Sequence, residues 1–176
     1  MAKAGLDQTE ALQQKSKKTD RLTVNIALDS MRRDAERILY AIDKMRKLDE
    51  NSADYQMSLD SSKFCINEYV QAFVDVVSVI YINCEKGSNI HTESLRSVIR
   101  FFTSYGFQYS ADCGKWIEFL IRRNDLVHEY YNYEFLNEEL KSSLVTYEDC
   151  IMELIGVLDK IVVELGIGNT VIRKGR

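Results

Sequence analysis

The residues best suited to chemistry in this chain lie together at positions 122–133, where the sequence reads Arg-Arg-Asn-Asp-Leu-Val-His-Glu-Tyr-Tyr-Asn-Tyr. Guanidinium groups bind phosphate oxygens through paired hydrogen bonds, and imidazole titrates near neutral pH. An arginine, an asparagine and a histidine this close together therefore have the groups needed to hold a phosphodiester and to move protons on it. We treat this stretch as the candidate active site.

One straight helix does not bring these groups to a single point. With Arg123 at zero on a helical wheel, Asn124 lies at about 100° and His128 at about 140°. Tyr130 lies at about 340°, so it shares a face with Arg123, whereas Asn124 and His128 share another. Either the helix is irregular here or a second copy of the chain completes the site, as a two-fold symmetric dimer does.

Length and composition predict one all-α domain. A chain of 176 residues with 45% hydrophobic and 28% charged residues can bury its own core. Proline is absent and glycine occurs only eight times, which favours helices over turn-rich β folds. A net charge of -4 argues against a broad basic surface that coats nucleic acid, although a local basic pocket remains compatible with it.

Apolar residues recur at spacings of three and four along most of the chain, which is typical of amphipathic helices. The predicted elements are a helix at 21–48, a turn at 49–58, a helix from Asp60 or Ser61 to Cys84, a short helix after Thr92 that closes near Gly106, a helix from Ser110 into the candidate site, and a last helix from Glu134 to Leu165 that ends at Gly166 and Gly168. This order predicts an up-and-down helical bundle of four long helices plus a shorter one. Residues 1–20 are predicted to be a flexible lead-in, 21–168 the single domain, and 169–176 a basic C-terminal tail.

The cysteines and the apolar runs bear on cofactors and location. Cys65, Cys84, Cys113 and Cys150 form no C-x-x-C pair, so we predict reduced, mostly buried thiols and no metal or other cofactor. No signal-peptide run and no uninterrupted apolar segment of membrane-spanning length occurs. We therefore expect a cytoplasmic protein without a membrane partner.

The candidate site also has a purely structural interpretation. An isolated arginine and histidine at this spacing arise freely in arginine-rich helices, where charged residues form a solvated face and the histidine packs at an interface. Here Asn124 follows Arg123 directly, and Tyr130 stands two places after His128. This longer pattern favours the functional interpretation.

The pattern resembles the signature of the HEPN superfamily and, within it, of the HepT toxins of the MntA/HepT toxin-antitoxin systems: arginine, four residues, histidine, any residue, tyrosine. Arg123, His128 and Tyr130 match these positions, and Asn124 matches the frequent Arg-Asn pair. The similarity extends over about 94–161, through a Tyr-Gly-Phe turn and an acidic aromatic segment, whereas residues 1–21 have no counterpart. Arg122 also fits the broader spacing of the superfamily.

The resemblance implies a metal-independent endoribonuclease toxin that works without a cofactor as a homodimer or higher homo-oligomer. His128 would be the general base or acid, Arg123 would hold the phosphate, and Asn124 would orient one of them. The substrate would be RNA, because the nucleophile is the 2′-hydroxyl that DNA lacks. Arg122 would be a supporting phosphate ligand.

Tyr130 has a second role by resemblance, as the acceptor of AMP from a partner nucleotidyltransferase antitoxin of the MntA kind. The added negative charge and bulk would block the RNA phosphate. Tyr131 and Tyr133 are close alternatives, although the spacing favours Tyr130. Two other functions are compatible with the sequence: a non-catalytic HEPN subunit that binds the substrate or partner of a nucleotidyltransferase, and a structural helical adaptor.

The aromatic and basic residues before the site have predicted roles of their own. Trp116 and Phe119, like Tyr105 and Phe107, are predicted to be core residues rather than base-stacking platforms. Arg96, Arg100 and Lys115 are predicted to belong to a solvated face, because acidic residues offset them.

Overall fold

The structure, a computed structural model, describes residues 22–84, 95–104, 109–127 and 133–172, and for residues 95–99, 121, 123–127 and 133–136 it describes the backbone alone. Helices account for most of these residues, and no β-strand occurs among them. The helices are α1 (Val24–Met45), α2 (Ala53–Cys84), α3 (Leu95–Ser104), α4 (Ala111–Val127), α5 (Tyr133–Thr146) and α6 (Glu148–Leu165). The predicted all-α class and a helical bundle are therefore confirmed.

Helix α2 is the centre of the bundle, in contact with α1, α3, α5 and α6. Tyr69 is fully buried on α2, and its hydroxyl donates a hydrogen bond to the Ile151 carbonyl of α6 at 2.8 Å. The Tyr69 ring also meets Trp116 of α4 edge to face, with centroids 6.5 Å apart. Among the described helices, α2 alone is long and apolar enough to cross a membrane by length and composition, and 61% of its most apolar window is buried inside the protein.

Helix α1 is confirmed close to its predicted bounds. Thr23 caps it, since its hydroxyl oxygen accepts a hydrogen bond from the Ile26 amide at 3.4 Å. Ser110 caps α4 in the same way, accepting from the Cys113 amide at 3.3 Å, so the predicted start of that helix is also confirmed. The predicted signals at Thr92 and Gly106 lie outside the described residues.

The predicted start of α2 at Asp60 or Ser61 is wrong, because the helix begins at Ala53. Ser52 is the capping residue, and its hydroxyl oxygen accepts from the Tyr55 amide at 3.2 Å. Ser58, which the sequence assigns to the turn, is accommodated in the helix in the same way as Ser62, which the sequence places inside it. The hydroxyl of Ser58 donates to the Asp54 carbonyl at 2.8 Å, and that of Ser62 donates to the Ser58 carbonyl at 2.9 Å. The predicted turn is therefore confined to the residues before Ala53.

The predicted last helix is two helices, α5 and α6, separated at Tyr147. Tyr147 has φ -115° and ψ 21°, which leaves the helical conformation. Its ring packs near Trp116, with centroids 6.3 Å apart. Glu148 and Asp149 follow in the first turn of α6, where negative charge favours a helix start. The predicted end of this region is confirmed, since Gly166 has φ 65° and closes α6 in the left-handed conformation.

The chain beyond α6 returns to the start of α1. The Val24 amide donates to the Thr170 carbonyl at 3.1 Å, and the Ile172 amide donates to the Leu22 carbonyl at 2.9 Å. Ile172 is buried by this contact. Packing of the domain thus continues past the predicted boundary at 168, while residues 1–20 and 173–176 lie outside the described residues.

Candidate functional site

Helix α4 carries the first residues of the candidate site, and its early turns are held firmly in the core. Cys113, Trp116, Ile117 and Leu120 have no exposed surface. Phe119 stacks on Trp116 with centroids 5.3 Å apart and an interplanar angle of 24°. The core prediction for Trp116 and Phe119 is therefore confirmed, and Tyr105 and Phe107 lie outside the described residues.

The backbone of Arg123 and Asn124 lies close to the end of α4 at Val127. Tyr133 is the first residue of α5, so the two helices flank the remaining motif positions. The side chains of Arg123, Asn124 and Tyr133, and all of His128, Tyr130 and Tyr131, lie outside what the structure describes. Their convergence on one phosphate stays a prediction.

Arg122 is the one predicted site residue whose side chain is described. Its Nη2 lies 3.0 Å from Oε1 of Glu139 on α5, with exposed fractions of 63% for the Arg122 side chain and 18% for the Glu139 side chain. The guanidinium is therefore engaged by a carboxylate that joins α4 to α5. No pattern near Arg122 in the sequence could have revealed this, because the partner lies on another helix.

A cluster of Cys113, Cys150 and Glu153 links α4 to α6, and its three ligand atoms lie within 4.8 Å of one another. The Cys113 thiol donates to Oε2 of Glu153 at 3.0 Å. Two thiolates and a carboxylate are ligand types that Zn²⁺ accepts. Burial raises the pKa of both thiols, so without a metal they are protonated at neutral pH and act as packing groups.

All four cysteines are free. Cys65, Cys113 and Cys150 are buried, and Cys84 is partly buried. This confirms the prediction that the thiols are mostly buried. The sequence did not predict that two of them meet, because Cys113 and Cys150 lie on different helices.

The structure also has a groove between α1 and α2 that the sequence did not predict. It is lined by Arg33, Glu36, Arg37, Tyr40, Ala41, Lys44, Met57, Ser58 and Ser61. The signal was present in the sequence, because Arg33, Arg37, Tyr40 and Lys44 recur at spacings of four, three and four and so share one face of α1. Such a stripe is ordinary on a solvated helix face and becomes a groove only when α2 lies beside it.

Comparisons of the chain with protein-family models, with curated proteins and with solved structures give no match. The HEPN resemblance therefore rests on the sequence alone, on the pattern of Arg123, Asn124, His128 and Tyr130 and the similarity over about 94–161.

Proposed function

We propose that this protein is a metal-independent endoribonuclease, the toxin of a toxin-antitoxin pair of the HepT kind. The observation that carries the proposal is the Arg-Asn-x3-His-x-Tyr pattern at 123–130. Its support is the placement of Arg123 and Asn124 near the end of α4, a helix whose earlier turns are buried in an all-α core. Such anchoring suits a site that must hold a phosphate in fixed geometry.

In the proposed reaction the ribose 2′-oxygen attacks the adjacent phosphorus while His128 removes its proton. The bond from phosphorus to the 5′-oxygen breaks, and that oxygen takes up a proton from water as it leaves. Arg123 stabilises the negative charge that gathers on the phosphate oxygens, and Asn124 orients the phosphate or the imidazole. The products are a 2′,3′-cyclic phosphate and a 5′-hydroxyl.

The proposal includes an assembly and a partner. In a homodimer of up-and-down, HEPN-like bundles, α4 meets its own copy, so the motif residues of the two copies converge on one phosphate. A nucleotidyltransferase antitoxin neutralises the toxin by transferring AMP to Tyr130. The protein acts in the cytoplasm on cellular RNA.

A second candidate is a non-catalytic subunit that binds the partner or substrate of a nucleotidyltransferase. The ion pair between Arg122 and Glu139 favours it, because one of the two adjacent arginines is already neutralised by a carboxylate. Both candidates use the same fold, and they differ in whether His128 is required for RNA cleavage.

The experiment compares wild type, His128→Ala and His91→Ala on a structured RNA such as tRNA with EDTA present. His91 is the only other histidine in the chain, which makes it the matched control. We expect His128→Ala to lose about 100-fold or more of the cleavage rate, the usual range for a general acid or base, and His91→Ala to match wild type.

The products of the wild-type reaction should end in a 2′,3′-cyclic phosphate. Circular dichroism of each variant tests whether the fold is intact. Equal cleavage by wild type and His128→Ala would eliminate the catalytic role and favour the non-catalytic subunit.

A further inference from the structure

The groove between α1 and α2 is built from two helices that carry none of the motif residues. Its volume is about 640 Å³, within the range of sites that hold small ligands or parts of larger ones. The α1 residues that line it span positions 33–44, which is about 16 Å along a helix. The groove is therefore long enough for a ligand made of several covalently linked groups.

Among the described residues, three cations and one carboxylate, that of Glu36, line this groove. Arg33 and Lys44 form no hydrogen bond or ion pair with another described residue, and the charge of Arg33 also acts on Asp34. Arg37 is partly engaged, because its Nη1 lies 3.3 Å from Oδ1 of Asp34.

Asp34 of α1 is 3% exposed and forms the ion pair with Arg37, and the charge of Glu68 on α2 acts on Asp34 in turn. These two acids offset part of the positive charge, but cations outnumber carboxylates among the described residues that line the groove. A groove of this charge favours an anion with more than one negative group.

The groove also offers surfaces for a planar, apolar group. The Tyr40 ring lies between Arg37 and Lys44 in the stripe, and 67% of its surface is exposed. Met57 faces the same groove from α2 and is 69% exposed. Exposed aromatic rings inside a positive groove are the usual means by which proteins bind unpaired bases and their phosphates.

We propose that this groove binds a short stretch of single-stranded RNA. Arg33, Arg37 and Lys44 contact successive phosphates, and an unstacked base lies on the Tyr40 ring. The cations and the exposed ring of the groove recognise phosphates and a planar base. The choice of RNA as the ligand rests on the proposed function. A chain of net charge -4 binds RNA through such a groove rather than over its whole surface.

Fluorescence anisotropy of the full chain with a labelled 2′-O-methyl RNA octamer tests the proposal. This probe has the phosphates and bases of RNA but no 2′-hydroxyl, so it cannot be cleaved by the proposed reaction. Its binding is therefore measured separately from ribonuclease activity, and either proposal can fail alone.

Lys44→Ala is compared with Lys160→Ala, which removes the same charge from an exposed position on α6 outside the groove. We expect Lys44→Ala to reduce the slope of the logarithm of the binding constant against the logarithm of the salt concentration by about 0.7. This is the value for one lost phosphate contact on a single strand. Lys160→Ala should leave it unchanged. Equal effects of the two variants, or no binding by wild type, would overturn the proposal.

Tyr40→Ala should weaken binding about tenfold, as expected for one lost stacked base, and Tyr40→Phe should retain wild-type affinity. Both variants should fold, because the side chain is largely exposed. Equal affinity of Tyr40→Ala and wild type would exclude base stacking. Displacement of the octamer by an equal concentration of AMP would assign the groove to a free nucleotide and overturn the RNA assignment.

Discussion

Helices α1 and α5 are held in this protein in very different ways. One face of α1 is buried from Val24 to Met45, and the helix packs along α2 and against α6. Among the described side chains of α5, only Leu140, Ser143 and Leu144 are buried. Segments with few buried apolar contacts open at lower free energy than the core. The residues proposed to do chemistry thus come just before the weakly held helix in the sequence, whereas α1 and α2 form the well-packed part of the fold.

Helix α4 lies between these two extremes. Its start is fixed by Trp116 and by the hydrogen bond from Cys113 to Glu153, and its end is joined to α5 by the ion pair of Arg122 and Glu139. The ion pair is largely solvent-exposed on the Arg122 side, so it holds α5 far less strongly than buried side chains hold α4. Helix α4 is therefore expected to open at higher free energy than α5.

The largest expected effect comes from Trp116→Ala, which removes the fully buried ring that joins α4 to α2 and to Tyr147. We expect the free energy of unfolding to fall by about 3–5 kcal/mol, as for other buried aromatic side chains. Urea denaturation measures it, with Val163→Ala, 79% exposed, as the control that should change stability by less than about 0.5 kcal/mol. A loss below about 1 kcal/mol for Trp116→Ala would mean that α4 is not anchored in the core.

Hydrogen exchange tests the comparison of α1 and α5 directly. Amides in the middle of α1 should exchange only through global unfolding, so their opening free energy should equal the value from denaturation. Amides of α5 should exchange through local opening at clearly lower free energy, because few of its described side chains are buried. Equal protection of the two helices would show that α5 is held by contacts beyond those described.

The titration of Asp34, a buried acidic residue of α1, tests the packing of that helix. Burial raises its pKa, and the nearby Arg37 opposes this rise. The folded protein therefore binds the proton more tightly than the unfolded chain, so stability is lost as pH rises from the ordinary value of 3.8 through the raised pKa. Above that pKa the loss is complete.

Asp34→Asn removes this titration. We therefore expect the variant to be more stable than wild type at pH 7, and to show no loss of stability as the pH rises from 3.8 through the raised pKa of Asp34. Denaturation midpoints measured from pH 3 to 7 give the comparison. Asp43→Asn, an exposed position on the same helix, should show no such gain. A lower stability of Asp34→Asn at pH 7 would mean that the ion pair with Arg37 outweighs burial.

The smallest expected effect is that of Arg122→Gln. Because Arg122 is mostly exposed, losing its ion pair should lower the free energy of unfolding by only about 0.2–1 kcal/mol. Cleavage should fall much less than for Arg123→Gln, which removes the proposed phosphate ligand. A cleavage loss in Arg122→Gln as large as in Arg123→Gln would make Arg122 a phosphate ligand of equal importance.

Local signals were enough to predict several elements. The end of α6 followed from Gly166, which takes a conformation that disfavours side chains, and the start of α4 followed from the capping hydroxyl of Ser110. The start of α2 was missed because serine is ambiguous: it favours turns in isolation, yet Ser58 and Ser62 bond to their own helix. The break at Tyr147 was missed because its ring packs near Trp116, a residue far away in the sequence.

The sequence by itself determined the all-α class, several helix ends and the motif pattern, because helical periodicity and capping depend on residues only a few positions apart. Only the tertiary structure decided that Arg122 meets Glu139, that Cys113 meets Cys150 and Glu153, and that the stripe on α1 becomes a groove beside α2. Each of these depends on two helices that are distant along the chain. Their meeting is set by how the buried faces pack together, which no local pattern records.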